Sequence, residues 1–402
     1  MRTPSRAGDP GEMPPGGVAR PTAAPGDPGD PRRLPLALVR FGAALIGLSL
    51  LFSMWASPDR LRSLPWFIIS MVGVVTVLVV TGRLLPRVAR KVSGHHWMIF
   101  FLSAAFLALG TTLLTSRWPA YKLSWLTTVY SALPSIRSLP LWWTQQGLQP
   151  NQTGGFLALC CAFTFAVVVA REDPAGPAVP QGRLYRWAAA VLTALGVLVV
   201  FMTGSRSALA GLAVAVRAVL IVRFSHPLWA WAAGISAVVV GLLASGQLTR
   251  VFGLLMRDET LDTKLVARLD IWSSAIKGIQ DHSFTGIGLG VFNQVVPFRY
   301  PYQTVGLTYN VTQAHNLFLD TALTIGVPGL LGLLIFLVGI VMIAVRGMRQ
   351  DYLTRVISLG VVASTVVYLI FGITDQISFT IPTSFIIWLW ACALAMLVSR
   401  TE

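Results

Sequence analysis

From residue 36 onward the chain alternates between long apolar runs and short polar breaks. The apolar runs fall at about 36–56, 65–82, 97–115, 152–170, 187–203, 206–223, 227–245, 328–345, 353–372 and 379–398. Each is close to the roughly 18 residues that a spanning helix needs, so the pattern predicts ten helices. Two weaker stretches, 121–143 and 316–326, are expected to add short or re-entrant helices, which sets the range at 10–12. Residues 1–35 break the pattern with nine prolines and six glycines. Such a stretch cannot bury enough apolar surface to order itself, so it reads as a disordered cytoplasmic tail ahead of a polytopic domain over 36–402.

Composition agrees. Hydrophobic residues make up 54% of the 402, charged residues only 12%, and the mean hydropathy is +0.68. Soluble domains carry about a quarter charged residues. The fold class expected is therefore an all-α integral membrane protein. The net charge of +15 does not point to nucleic acid as a partner, because the basic residues flank membrane spans and acidic residues are scarce. Cys160, Cys161 and Cys392 all sit in apolar runs and read as small buried hydrophobes.

Arginine placement sets the orientation. With the tail inside, the short inner connections hold Arg83, Arg87, Arg90 and Lys91, then Arg171, Arg183 and Arg186, then Arg346, Arg349 and Arg355. The outer loop at 57–64 holds only Arg60 and Arg62, and the one at 373–378 holds no Lys or Arg. The positive-inside rule then leaves two long segments on the periplasmic face, 116–151 and 246–314. The first is rich in Trp, Tyr and Pro. The second holds "RLDIWSSAIKGI", residues 268–279, whose apolar positions recur at helical spacing and predict a helix that Arg268 opens. "GIGLGVFN", residues 286–293, breaks it. No strand precedes those glycines, so a tight turn at the membrane surface fits them better than a phosphate loop.

The polar residues at the outer face need partners. His315, Asn316 and Asp320 stand at the mouth of an apolar span, where an unpaired polar group is costly. Asp320 lies five residues beyond His315, about 140° around a helix, so it cannot orient the imidazole locally. A group from another segment must do so, or His315 faces an open cavity. Arg206, in "FMTGSRSALAGL", lies between two apolar runs at the same surface, as an interfacial arginine snorkelling to water would.

Four stretches in order, "PNQTGG" at 150–155, "GSRSALAGL", "RLDIW" leading into "GIGLGVFN", and "HNLFLDTALTIGVPGLLGLL", resemble the O-antigen ligase and O-antigen polymerase superfamily. The likeness covers roughly residues 150–345. It implies a GT-C-type glycosyltransferase in the bacterial inner membrane that needs no metal and no cofactor. The donor implied is a glycan on undecaprenyl pyrophosphate, used at the periplasmic face. In a ligase the acceptor is a lipid A–core hydroxyl, and in a polymerase it is another lipid-linked repeat.

The residues suit that chemistry. A lipid pyrophosphate gathers negative charge as the glycosidic bond breaks, and guanidinium groups bind its oxygens bidentately. Arg206 and Arg268 come from different segments on the same face and are the candidates for that clamp. His315 is the candidate to take the acceptor proton. Arg257, Arg299, Tyr309 and Asn316 are further candidates for substrate contact, and the membrane lipids are the remaining partners. A secondary transporter is the rival of a different class. It would place charges and broken helices near the bilayer midplane within internal repeats, which the sequence does not show.

Overall fold

The computed structural model describes residues 34–84, 94–120, 122–133, 149–170, 182–223, 261–306 and 310–377. Every regular element among them is helical. In chain order these are α1 (Leu34–Ala56), α2 (Arg60–Val79) continued by a π-helical turn (Val80–Leu84), α3 (Gly94–Thr115), a 3₁₀ turn (Ser124–Leu126), α4 (Thr127–Ala132), α5 (Pro150–Val169), α6 (Gly182–Met202), α7 (Arg206–Arg223), α8 (Leu261–Asp281), α9 (Phe292–Arg299), α10 (Leu317–Gly347) and α11 (Tyr352–Gly372). Eight of the ten predicted spans fall on these helices. The spans at 227–245 and 379–398, and the tail up to residue 33, lie outside the described residues. Among the described residues, seven helices are long and apolar enough to cross a membrane. The chain is a multi-pass, all-α membrane protein.

Local sequence explains where the helices start. Asp59 caps α2 by accepting from the Arg62 N–H, and Asp351 caps α11 by accepting from Thr354. Pro150 opens α5, at the position where its missing N–H costs nothing. Helix α5 is apolar all round, and 78% of its spanning window is buried. It is the central post of the bundle, as a helix with no polar face must be. Cys160 and Cys161 lie on it, both buried. Helices α1 and α10 pack backbone to backbone: a Cβ on Gly42 would meet Phe336 N at 2.6 Å. Small residues allow that approach in a membrane, where packing rather than water exclusion drives association.

Hydrogen bonds gather the predicted outer segments at one end of the bundle. Ser116 Oγ and Thr153 Oγ1 are 2.8 Å apart, Tyr130 donates to the Met202 carbonyl, Arg62 donates to Gly290 O, and Ser63 donates to Leu289 O. The opposite end has its own ties, among them His95 Nδ1 to Tyr185 Oη at 3.2 Å and Arg223 Nε to Val169 O.

Helix α10 is broken. Ile325 and Gly326 leave helical geometry, with Gly326 at φ 77° and ψ 166°, so a short segment over 317–324 precedes the long span. This is the short extra helix expected at 316–326. A break exposes carbonyls that have lost their helical partners. The glycine turn satisfies them: Ile287 N–H donates to Leu323 O and Gly288 N–H to Thr324 O. Ser53 Oγ also donates to Thr324 O, and Val327 N–H returns a bond to Ser283 O. "GIGLG" therefore serves the backbone rather than a phosphate, and it packs on the broken helix.

Gly326→Ala is expected to damage the protein severely. Its backbone lies in a region that only glycine occupies readily, at a cost of about 1–3 kcal/mol for other residues. The new Cβ would also stand 2.2 Å from Phe284 O. Heating in detergent followed by size-exclusion chromatography should show clear loss of the monodisperse species at lower temperature. A melting curve that overlays wild type would refute this account of the break.

Candidate active site

The polar end converges on a carboxylate that the sequence reading did not single out. Asp375 follows α11 and is 1% exposed. Its Oδ1 accepts from the Gln376 N–H at 2.9 Å and Gln313 Nε2 at 3.2 Å, and lies 3.3 Å from His315 Nδ1. Its Oδ2 accepts from Asn151 Nδ2 at 3.0 Å. Burial disfavours the charged form. Against it, the hydrogen bond and charge of His315, the charge of Arg268 and the Gln376 N–H together hold the carboxyl below its ordinary range. Asp375 is thus the group from another segment that His315 required.

His315 has a distinctive backbone. It sits at φ 51°, the left-handed region, where a non-glycine residue is uncommon. Its neighbours fix that turn. Asn316 caps α10, its Oδ1 accepting from the Phe318 and Leu319 N–H groups, and its Nδ2 donates to Ile373 O. Asn316, a candidate for substrate contact, is thereby committed to joining the start of α10 to the turn before Asp375. The Ala314 N–H donates to Asp320 Oδ1, and Trp272 of α8 donates to Ala314 O. Asp320, 3% exposed, anchors the loop and leaves the imidazole to Asp375.

The imidazole itself is about one-third exposed. A carboxylate facing Nδ1 favours the tautomer that carries its proton there, which leaves the Nε2 lone pair available. Among the described residues nothing hydrogen-bonds Nε2. The arrangement suits an acceptor of protons whose orientation is fixed from behind.

The two arginines come from different walls. Arg268 lies on α8, which starts at Leu261, seven residues ahead of the helix predicted at 268–279. Ile271 and Ala275 of α8 pack into a cluster with Ile287, Val291, Val295, Ala314 and Leu323, which holds Arg268 beside the histidine loop. Arg206 opens α7 and is half-buried. The turn before it, Thr203–Gly204–Ser205, packs on α5: a Cβ on Gly154 would lie 2.4 Å from Thr203 Oγ1. His315 therefore meets Asp375, whose carboxyl also feels the charge of Arg268, and Arg206 stands at the same end of the bundle. Arg299 is exposed in the last turn of α9, while Arg257 and Tyr309 lie outside the described residues.

Two carboxylates of α8 have structural partners. Asp270 accepts from the N–H groups of Gln303, Thr304 and Val305, and Asp281 accepts from the Tyr300 hydroxyl. The former orders residues 303–305 over α8.

"PNQTGG" also gains a purpose. Asn151 bonds Asp375, Gln152 Nε2 donates to Gln313 Oε1 at 3.0 Å, and Thr153 meets Ser116. Gln376 Nε2 donates to the same Gln313 oxygen. Sequence offered one hint of Asp375: an acidic residue in a short outer turn that has no local cation, in a chain where acids are scarce. Its pairing with a histidine 60 positions earlier depends on the fold.

Fold and site together define a polytopic helical membrane protein with a buried aspartate, a partly exposed histidine against it and nearby arginines at one end. A family model described as O-Antigen ligase matches residues 188–334, the stretch that carries Arg206, Arg268 and His315. Over that stretch the chain is similar to the O-antigen ligase/polymerase family. No curated protein matches the chain.

Proposed function

We propose that the protein transfers O-antigen polysaccharide from undecaprenyl pyrophosphate to a sugar hydroxyl of lipid A–core, at the periplasmic face of the bacterial inner membrane. The observation that carries this reading is His315 Nδ1 held 3.3 Å from the buried carboxylate of Asp375, which also feels Arg268. His315 Nε2 takes the proton of the acceptor hydroxyl. The freed oxygen bonds to the anomeric carbon while the bond to the pyrophosphate oxygen breaks, and that oxygen keeps the electron pair. Arg268 and Arg206 offset the growing charge on the leaving group, an effect strongest where water is scarce. The proton on Nε2 then passes to solvent or to the released pyrophosphate.

The reaction would run without a divalent metal. Cations that bridge phosphates need free oxygen ligands. The carboxylates of Asp270, Asp281, Asp320 and Asp375 already accept hydrogen bonds from the protein.

Purified protein given undecaprenyl-pyrophosphate glycan and lipid A–core, in the presence of a chelator, should form a covalent glycan–core product. His315→Ala should form none above background. A protein that lengthens lipid-linked chains and leaves the core lipid bare is a polymerase, and the ligase reading is then wrong. Activity that disappears with the chelator and returns with magnesium would remove the metal-free mechanism.

A further inference from the structure

Lys122 ties the aromatic segment over 116–133 to the catalytic pair. Its Nζ donates to Asn151 Oδ1 at 3.0 Å, and Asn151 Nδ2 donates to Asp375 Oδ2 at 3.0 Å. Asp375 Oδ1 faces His315 Nδ1 at 3.3 Å. Four side chains from four separate segments form one line that ends at the imidazole.

The middle member explains why a cation is needed. A carboxamide presents an acceptor on one side and donors on the other. Asp375 accepts only, so Asn151 must turn its NH2 toward it. If the amide rotated by half a turn, its oxygen would face the carboxylate and both would be acceptors. An ammonium at Oδ1 fixes the productive orientation, and it polarises the amide so that the NH2 donates more strongly. Lys122 has a second neighbour. Its stem lies over Gly204, where a Cβ would stand 3.1 Å from Lys122 Cδ. Gly204, at φ 62°, belongs to the turn that leads into Arg206. The lysine therefore touches the arginine's turn with its stem and the aspartate's partner with its head.

We propose that Lys122 is a positioning residue for the transfer reaction: by locking the Asn151 amide it holds Asp375 against His315, and it couples the aim of that base to the turn carrying Arg206. The proposal rests on the reading of His315 as the base. Lys122 acts through the aspartate and does not contact the leaving pyrophosphate.

The test uses full-length purified protein, with initial rates measured against donor and acceptor concentration. Lys122→Met should lower kcat about tenfold, in the range for loss of a group that orients a catalytic residue. KM for the lipid-linked donor should stay within about twofold of wild type, since no substrate contact is lost. Asn151→Leu should behave alike, and Lys122→Arg should recover most of the rate. In an Asp375→Asn background Lys122→Met should add almost nothing, because the line is already cut. If Lys122→Met accumulates poorly, Lys122→Gln, which keeps a neutral donor on a shorter stem, should show the same kcat loss with unchanged donor KM. A raised donor KM with unchanged kcat would make Lys122 a phosphate contact and overturn the proposal. So would an undiminished tenfold loss in the Asp375→Asn background. If His315→Ala itself keeps wild-type turnover, the base assignment fails, and the role of Lys122 fails with it.

Discussion

Asp375→Asn is expected to lower turnover by roughly 10²–10⁴-fold, the range that positioned acid–base groups contribute. In barrier height this is about 2.7–5.4 kcal/mol. The substitution keeps the shape of the side chain and removes its charge. Three effects follow. His315 loses the acceptor that holds the proton on Nδ1, so the tautomer with a free Nε2 is no longer favoured. The imidazolium that forms on proton transfer loses its stabilising partner. One of the two oxygens that now accept from Gln313, Asn151 and the Gln376 N–H is replaced by a donor, so at least one of those bonds must be lost. The side chain is buried and the site is part of the fold, so abundance in the membrane is to be measured beside the rate. A variant that accumulates normally and works within threefold of wild type would remove Asp375 from the mechanism.

The second large effect is expected at the arginines. Arg268→Ala and Arg206→Ala should each reduce transfer by about 10²–10³-fold or more, comparable to losing a donor that stabilises charge in a transition state. The lysine variants separate charge from geometry. Lysine retains one positive charge but lacks the planar fork that grips two phosphate oxygens, so both should fall well below wild type while exceeding alanine. Arg268 should be the more sensitive, because its charge also favours the ionised form of Asp375. Full activity in both lysine variants would mean that simple charge, or snorkelling, accounts for these positions.

The apolar periodicity made the helices legible because a spanning helix must satisfy its backbone internally over a fixed thickness. That rule holds whatever the helices pack against, and so the spans at 36–56, 152–170 and 353–372 match α1, α5 and α11 closely. Helix α8 was less legible. It begins seven residues before Arg268, and its early part, "LDTKLVA", has no apolar stripe strong enough to mark a start. The glycine run shows a limit of a different kind. Its spacing announces tight turns, yet its purpose is to cap carbonyls at a break 36 residues away, between Ile287 and Leu323.

His315 and Arg206 stood out in the sequence because each is a polar residue at an apolar boundary, and the energetic cost of that placement demands an explanation; Arg268 stood out because it opens the helix predicted within the segment 246–314. Asp375, Asn151, Gln313 and Lys122 carried less of that signal. Each looks ordinary in its own segment, and the last three could pass for solvated loop or helix-end residues.

By itself, then, the sequence determined the class of the protein and most of its spanning helices, because bilayer thickness acts on local stretches of chain. Only the tertiary structure decided what orients the histidine. Asp375 reaches His315 from 60 residues away, and Asn151 reaches Asp375 from 224 away. Such pairings follow from how helices pack around α5, and packing depends on the shapes of all the faces together rather than on any one of them.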